Sequence, residues 1–194
     1  PGNRIESITE DQQGYLWIGT TKGLSRFNPE KEIFHNYDFQ DGLQSNMFYH
    51  YAAAKGPDGI MYMGGANGFN AFDPNEITDN PNIPPVILTD FKLFNKSVRI
   101  GEKSPLKQNI SRTETIMLPH NQSVFTIEFA ALNYTVSKKN RYAYMLEGFD
   151  KDRIYTDSTK RFAHYTNLNP GEYVFRVKGS NNDGVWNEEG ASVR

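Results

Sequence analysis

The 194-residue chain contains no cysteine, which excludes a disulfide scaffold, a thiolate zinc site and a thiol nucleophile together. It has no apolar run approaching the roughly 18–20 residues that cross a membrane as a helix. Lys and Arg form no cluster, and the net charge of −2 is spread over interspersed signs. The electrostatic footprint of a nucleic-acid binder is therefore missing. No stretch of ten residues keeps a helical period of apolar residues. Also absent are G-x-S-x-G, a P-loop and H-E-x-x-H, and His35, His50, His120 and His164 stand isolated without metal-ligand spacing. Neither a catalytic residue, a metal site nor a cofactor is expected. Pro1 stands where an initiator Met would be, and the chain starts inside a repeat, so it is expected to be part of a longer protein.

What is present is a hydrophobic fraction of 37% and an aromatic fraction of 13%, enough for a packed core. It also shows an internal repeat. "GYLWIGTTKGLSRFNP" (14–29) returns as "GIMYMGGANGFNAFDP" (59–74), with Gly14, Gly19, Gly23, Phe27 and Pro29 matching Gly59, Gly64, Gly68, Phe72 and Pro74. Trp17 falls on Tyr62. The shift of 45 residues lies in the roughly 40–50 of a four-stranded propeller blade. Strands are expected over 4–11, 15–19, 24–27 and 32–38, with glycine at turns and proline at strand ends. Trp17, Phe27, Tyr62 and Phe72 are expected to pack between neighbouring blades. Two blades cannot close a propeller, which takes about four or more, so these are read as the last blades of a larger one.

After Pro74, "NEITDNPNIPP" (75–85) reads as a linker, and the repeat does not return. Alternating runs follow at 86–94, 115–118, 123–132, 141–149 and 172–179. About six or seven such strands point to an antiparallel β-sandwich. Pro170-Gly171 ahead of Tyr173 suits a tyrosine corner of the immunoglobulin type. The fold class expected is all-β: propeller blades over 1–82, then an Ig-like sandwich over 83–194. The Asp-Gly pairs at Asp41, Asp58 and Asp183 lack the ligands of a calcium loop and read as turns. N-x-S/T triplets begin at Asn95, Asn109, Asn121 and Asn133, read as chance in a bacterial chain.

Two stretches carry a family resemblance. "DQQGYLWIGTTKGLSRFNP" resembles the regulator-propeller repeat of bacterial sensors. "NRYAYMLEGFDKD" and "RFAHYTNLNPGEYVFRVKGSNNDGVWNEEGASV" resemble the sandwich domain named for three tyrosines, with Tyr144, Tyr165 and Tyr173 as the matching positions. Lys151-Asp152-Arg153 stands where that family usually has Trp after "GFD". The resemblance implies the periplasmic sensor region of a Bacteroides-type hybrid two-component system, at the outer side of the inner membrane. It further implies a membrane helix and a histidine kinase beyond this segment, an oligosaccharide ligand, self-association as a homodimer and control of transcription of utilisation genes. Under it Trp186 takes a structural role.

In up-and-down blades, the loop before the first strand and the loop between the second and third strands open on one face. That face would carry Asn46, Tyr49, His50 and Asn67, amides for sugar hydroxyls and an aromatic for stacking. The loops that differ between the copies, Thr20-Thr21-Lys22 and Gly65-Ala66-Asn67, are where specificity would lie. Two other readings remain open: a non-signalling carbohydrate-binding or carbohydrate-processing propeller protein, and a structural dimerisation spacer.

Overall fold

The computed structural model describes residues 2–194. Two compact units divide between Asp79 and Asn80, three residues before the boundary expected at 82/83. Hydrogen bonding explains where the division falls. Arg26 holds Asp79 to the first unit at 2.8 Å, while Asp183 accepts the Asn80 N–H within the second at 2.6 Å.

The first unit holds two antiparallel sheets. β1 (Ile5–Glu10), β2 (Leu16–Thr20), β3 (Gly23–Asn28) and β4 (Ile33–Tyr37) follow one another as an up-and-down blade. β5 (Phe48–Lys55), β6 (Met61–Gly65) and β7 (Gly68–Phe72) form a second, three-stranded blade. The register explains which side chains are covered. Trp17 lies opposite Arg26, and Gly19 opposite Leu24, with Tyr37 beyond, so one face of the first blade presents Trp17, Leu24 and Tyr37. Met61, Met63 and Phe72 share a face of the second. These faces meet in one core of Trp17, Leu24, Phe48, Met61 and Met63, with Tyr37 and Phe72 packed on it.

Trp17 and Phe72 thus pack between blades as expected, with ring centroids 4.8 Å apart. Tyr62 does not. It is 38% exposed, beside the still more open Phe69. As the repeat mate of Trp17, Tyr62 lies on the blade face that the second blade covers for the first, and among the described residues no third blade covers it. Phe27 stacks on Phe34 on the opposite side of the first blade.

The second unit is a two-sheet sandwich. One sheet runs in the order β13 (Phe162–Tyr165), β10 (Phe125–Ala131), β8 (Val86–Leu93) and β9 (Lys96–Ser97). The other is β12 (Ile154–Asp157), β11 (Arg141–Glu147), β14 (Val174–Ser180) and β15 (Trp186–Val193). Period-two alternation sends Phe125, Ile127 and Phe129 inward to meet Tyr142, Tyr144, Leu146, Phe175 and Val177, a core that supplies most of the unit's favourable burial.

The strand expected over 115–118 is absent. Ile116 instead donates its N–H to the Arg194 carbonyl, and Arg194 N–H bonds Glu114, a bridge that never extends to a ladder. β15 was not legible from alternation because it carries a wide bulge. Residues 188–190 face Lys178 alone, and Gly190 sits at φ 64, where a Cβ would collide with the Val177 carbonyl.

Candidate functional site

The loop face of the blades is built around a residue the sequence reading passed over. Gln44 accepts the Asn67 N–H at 2.7 Å through its side chain and the Asn67 Nδ2 at 3.2 Å through its carbonyl. Its own N–H goes to Asn70 Oδ1 at 3.0 Å. Asn46 is committed as well, its Oδ1 accepting the Phe39 N–H at 2.7 Å. The two amides expected to meet sugar hydroxyls therefore brace their own loops. Thr20 likewise turns inward, donating to the Gly23 carbonyl at 2.8 Å.

Tyr49 and His50 do stay open, at the start of β5. His50 Nδ1 lies 3.5 Å from Glu6 Oε2, and Arg4 binds the other oxygen of that carboxylate at 2.9 Å. Glu6 is 6% exposed, so the imidazole is steered by a buried acid. Tyr51, at φ 57 and 85% exposed, packs its ring against His50 at 3.9 Å. The exposed polar–aromatic group here is Tyr49, His50 and Tyr51. Two signals were available beforehand, the three consecutive aromatic rings and the acid at Glu6 on the preceding blade.

In the sandwich, the three tyrosines converge on one turn. Tyr165 Oη donates to Asp150 Oδ2 at 2.8 Å, and that same oxygen accepts the Leu146 N–H at 2.7 Å. Burial, and then the Asp150 carboxylate, push the Tyr165 phenol well above its ordinary pKa. Tyr144 shifts the same way for the same leading cause. It packs on Phe129 and Phe175 at 5.5 and 6.0 Å. Tyr173 Oη donates to the Asn169 carbonyl at 2.9 Å, which is the tyrosine-corner bond. Its ring lies against Gly148, at φ 91, where a Cβ would stand 3.2 Å from the ring. Phe149 meets Tyr165 edge-on at 5.8 Å. The Gly148–Phe149–Asp150 turn is thus fixed by all sides of the cluster, and Asp150, the hub, was legible only as the end of a turn.

Tyr165→Phe should cost about 1.5–3 kcal/mol, the range for a hydrogen bond to a charged acceptor. Urea titration in a Trp17→Phe background, where Trp186 fluorescence reports the sandwich alone, measures it, and an unchanged midpoint would remove Asp150 from its place as hub.

Trp186 lies on the outer face of the second sheet. Tyr155 meets it edge-on at 6.4 Å and Lys178 Nζ sits 5.3 Å from its ring centroid, with Glu188 paired to the same ammonium at 2.7 Å. Among the described residues no group of three or more His, Cys, Asp or Glu is placed to hold a metal ion.

Comparison with known proteins matches residues 133–194 to the Y_Y_Y domain and residues 1–22 to the two component regulator propeller. The chain carries regulator-propeller and Y_Y_Y sequence. Histidine kinase P4 of Formosa agariphila is 37% identical over 188 residues, which is 96% of this chain and 14% of that protein. The crystallised extracellular domain assigned to a hybrid two component system of B. thetaiotaomicron, BT3049, is 29% identical with a TM-score of 0.82, over all of this chain and 26% of that one. The extracellular domain of BT4673 from the same organism superposes with a TM-score of 0.53 at 26% identity, over 99% of this chain and 24% of that one. This chain thus spans about a quarter or less of the relatives it matches. The segment resembles extracellular sensor domains of two-component systems and not catalytic domains. Among its described residues no helix is long and apolar enough to cross a membrane.

The Y_Y_Y sequence begins at Asn133, and that asparagine belongs to a buried amide network. Asn133 Nδ2 donates to Asn140 Oδ1 at 2.8 Å and to Asn182 Oδ1 at 3.1 Å. Asn140 Nδ2 returns to the Asn133 carbonyl at 3.2 Å. Asn181 Nδ2 donates to the carbonyls of Asn80 and Asn82 at 2.7 and 2.9 Å, while its Oδ1 accepts Asp183 N–H and Val185 N–H at 2.9 and 3.0 Å. Asn187, the second residue of β15, binds the Pro84 carbonyl at 2.9 Å. The segment leading into the Y_Y_Y-bearing sandwich is therefore clamped to the head of its last strand.

Proposed function

We propose that the chain is the extracytoplasmic sensor segment of a membrane-bound hybrid histidine kinase, facing the periplasm. In this reading it detects oligosaccharides released from glycans and relays their presence to transcription of utilisation genes through the geometry of a homodimer. The observation that carries the reading is the likeness to the BT3049 extracellular domain over the full length of this chain. The amide clamp supports a relay, because β15 joins the lead-in segment at Asn187 to the last residues at Val193, opposite Gly179 to Phe175 of β14, about 14 Å of strand. Its backbone is paired to β14 on both sides of the 188–190 bulge, so a displacement at Asn187 is carried along the sheet to Val193.

Two experiments on the full receptor test this. Cysteines placed near Val193 should crosslink in a pattern that changes when an active oligosaccharide is added. An unchanged pattern in a receptor that still responds would refute relay by dimer geometry. Calorimetry of the complete ectodomain against an oligosaccharide panel should give saturable heat. A dimer that binds none of them is the outcome a structural spacer would produce.

A further inference from the structure

The outer face of the β13–β10–β8 sheet is dished. Register places His164, Thr126 and Lys92 in one cross-strand row, and Phe162, Glu128 and Asp90 in the next. Neighbours in such rows stand about 5 Å apart. The central Thr126 is short and only 6% exposed, whereas its neighbours are long. A hollow of about 360 Å³ results, lined by Lys92, Asn95, Thr126, Glu128, Phe162 and His164. The hollow is shallow and open to solvent, so it can take one face of a small ring and not enclose it.

The lining has a definite chemistry. Lys92 is neutralised in place by its bond to Glu128 and lies 3.8 Å from Asp90. Asp90 is held in turn by the Ser97 hydroxyl at 2.6 Å. No unpaired cation is left to attract an anion. Thr126 Oγ1 and His164 Nδ1 bond at 2.8 Å, which orients the ring and leaves Nε2 facing outward. Among the described residues neither that nitrogen nor the Asn95 amide has a partner. Asn95 is carried on the β8–β9 turn, where Phe94 and Asn95 both adopt the left-handed conformation, φ 49 and φ 63. A two-residue hairpin turn calls for φ > 0 at both central positions, and this geometry fixes where the Asn95 amide stands. Phe162, 39% exposed, offers an apolar ring at the rim.

We infer that this hollow is a binding subsite for one neutral sugar ring. The C–H face of the ring stacks on Phe162, and its hydroxyls meet the Asn95 amide, His164 Nε2 and the Glu128 carboxylate. Charged ligands are disfavoured because the site's own charges are already paired, and wholly apolar ones because they would strip water from those groups without replacing its hydrogen bonds. The site lies wholly within the sandwich unit, and its existence does not depend on the signalling role.

The test is an NMR titration of the 194-residue chain with the methyl glycosides of glucose, galactose, mannose, xylose and N-acetylglucosamine, carried into the millimolar range. At least one should give saturable shifts at Asn95, Thr126, Phe162 and His164. Phe162→Ala should abolish saturation, whereas Phe162→Tyr, which keeps the ring and guards against a folding defect, should retain it. The inference is overturned if none of the five glycosides shifts these residues saturably. It is equally overturned if the folded Phe162→Ala chain binds as tightly as the parent.

Discussion

Replacing Trp17 with alanine should unfold the two-blade unit at temperatures where the sandwich stays intact. Trp17 has no exposed surface and anchors the core shared by both blades, stacking on Tyr37 at 5.7 Å and on Phe72 at 4.8 Å. Truncating a buried Trp to Ala removes about 3–5 kcal/mol. A second loss adds to this, because Nε1 donates to Asp11 Oδ2 at 2.8 Å. Asp11 is 5% exposed, and its other oxygen accepts the N–H groups of Gln13 and Tyr15 at 2.8 and 3.0 Å, shaping the β1–β2 turn. A unit of this size holds only about 5–10 kcal/mol in total, and its fully buried core is five side chains. Trp17→Phe separates the two contributions. It keeps most of the ring burial and loses the Asp11 bond, so about 1–3 kcal/mol should go. The chain has two tryptophans, one in each unit, so the variant leaves Trp186 as a clean reporter of the sandwich. Differential scanning calorimetry with Trp186 fluorescence should show the blade transition moved down or lost and the sandwich transition in place. A blade transition at its original temperature would mean that the Trp17 cluster is not what joins the blades.

The blades and half of the sandwich strands, β8, β10, β11 and β14, were legible because their signals are local. Glycine at fixed offsets, proline at strand ends and period-two alternation each act within a few residues. Trp17 was recognisable as architecture from its place in the repeat. Tyr62, its repeat mate, shows the limit of that logic, since the repeat fixes the face a side chain takes and says nothing about what covers it. β15 was obscured by its bulge, and the stretch over 115–118 alternates yet finds only the single bridge to Arg194.

The candidate site was read less well, for a consistent physical reason. Asn46 and Asn67 are the residue types a sugar site needs, but the same amides are equally suited to closing loops, and Gln44 recruits Asn67 for that purpose. The Asn80–Asp183 bond links positions 103 apart in sequence, and no spacing rule foreshadows it. Asn133 illustrates the same point. As the head of an N-x-S/T triplet it carried no message, whereas in the fold it is 8% exposed and bonded to Asn140 and Asn182. Hydrogen-bond hubs are set by tertiary structure, and a sequence shows only that suitable donors and acceptors exist.

The clamp yields the other large effect, at Asn181. This side chain is 1% exposed and uses both amide hydrogens and both acceptor positions, the full capacity of the group. Asn181→Ala strands two carbonyls of the lead-in segment and the N–H groups of Asp183 and Val185. Each unsatisfied buried group costs about 1–3 kcal/mol, reduced where water can reach it, so a net loss of about 3–5 kcal/mol is expected. For a unit of this length that is a fall in melting temperature of roughly 10–20 °C. Asn181→Asp resolves what the clamp does. The carboxylate still accepts from Asp183 and Val185, holding the β14–β15 turn, but it has nothing to donate and faces the Asn80 and Asn82 carbonyls with a negative charge. Hydrogen exchange should accelerate at the Asn80 amide, whose proton is bonded to Asp183, and stay slow at Val185. Under the proposed relay, the same variant in the full receptor should still bind oligosaccharide while losing the ligand-dependent change in crosslinking near Val193, because β15 would no longer be fastened to the chain that leads into it. A folded Asn181→Asp receptor that crosslinks and responds as the parent does would show that the signal does not pass through this fastening.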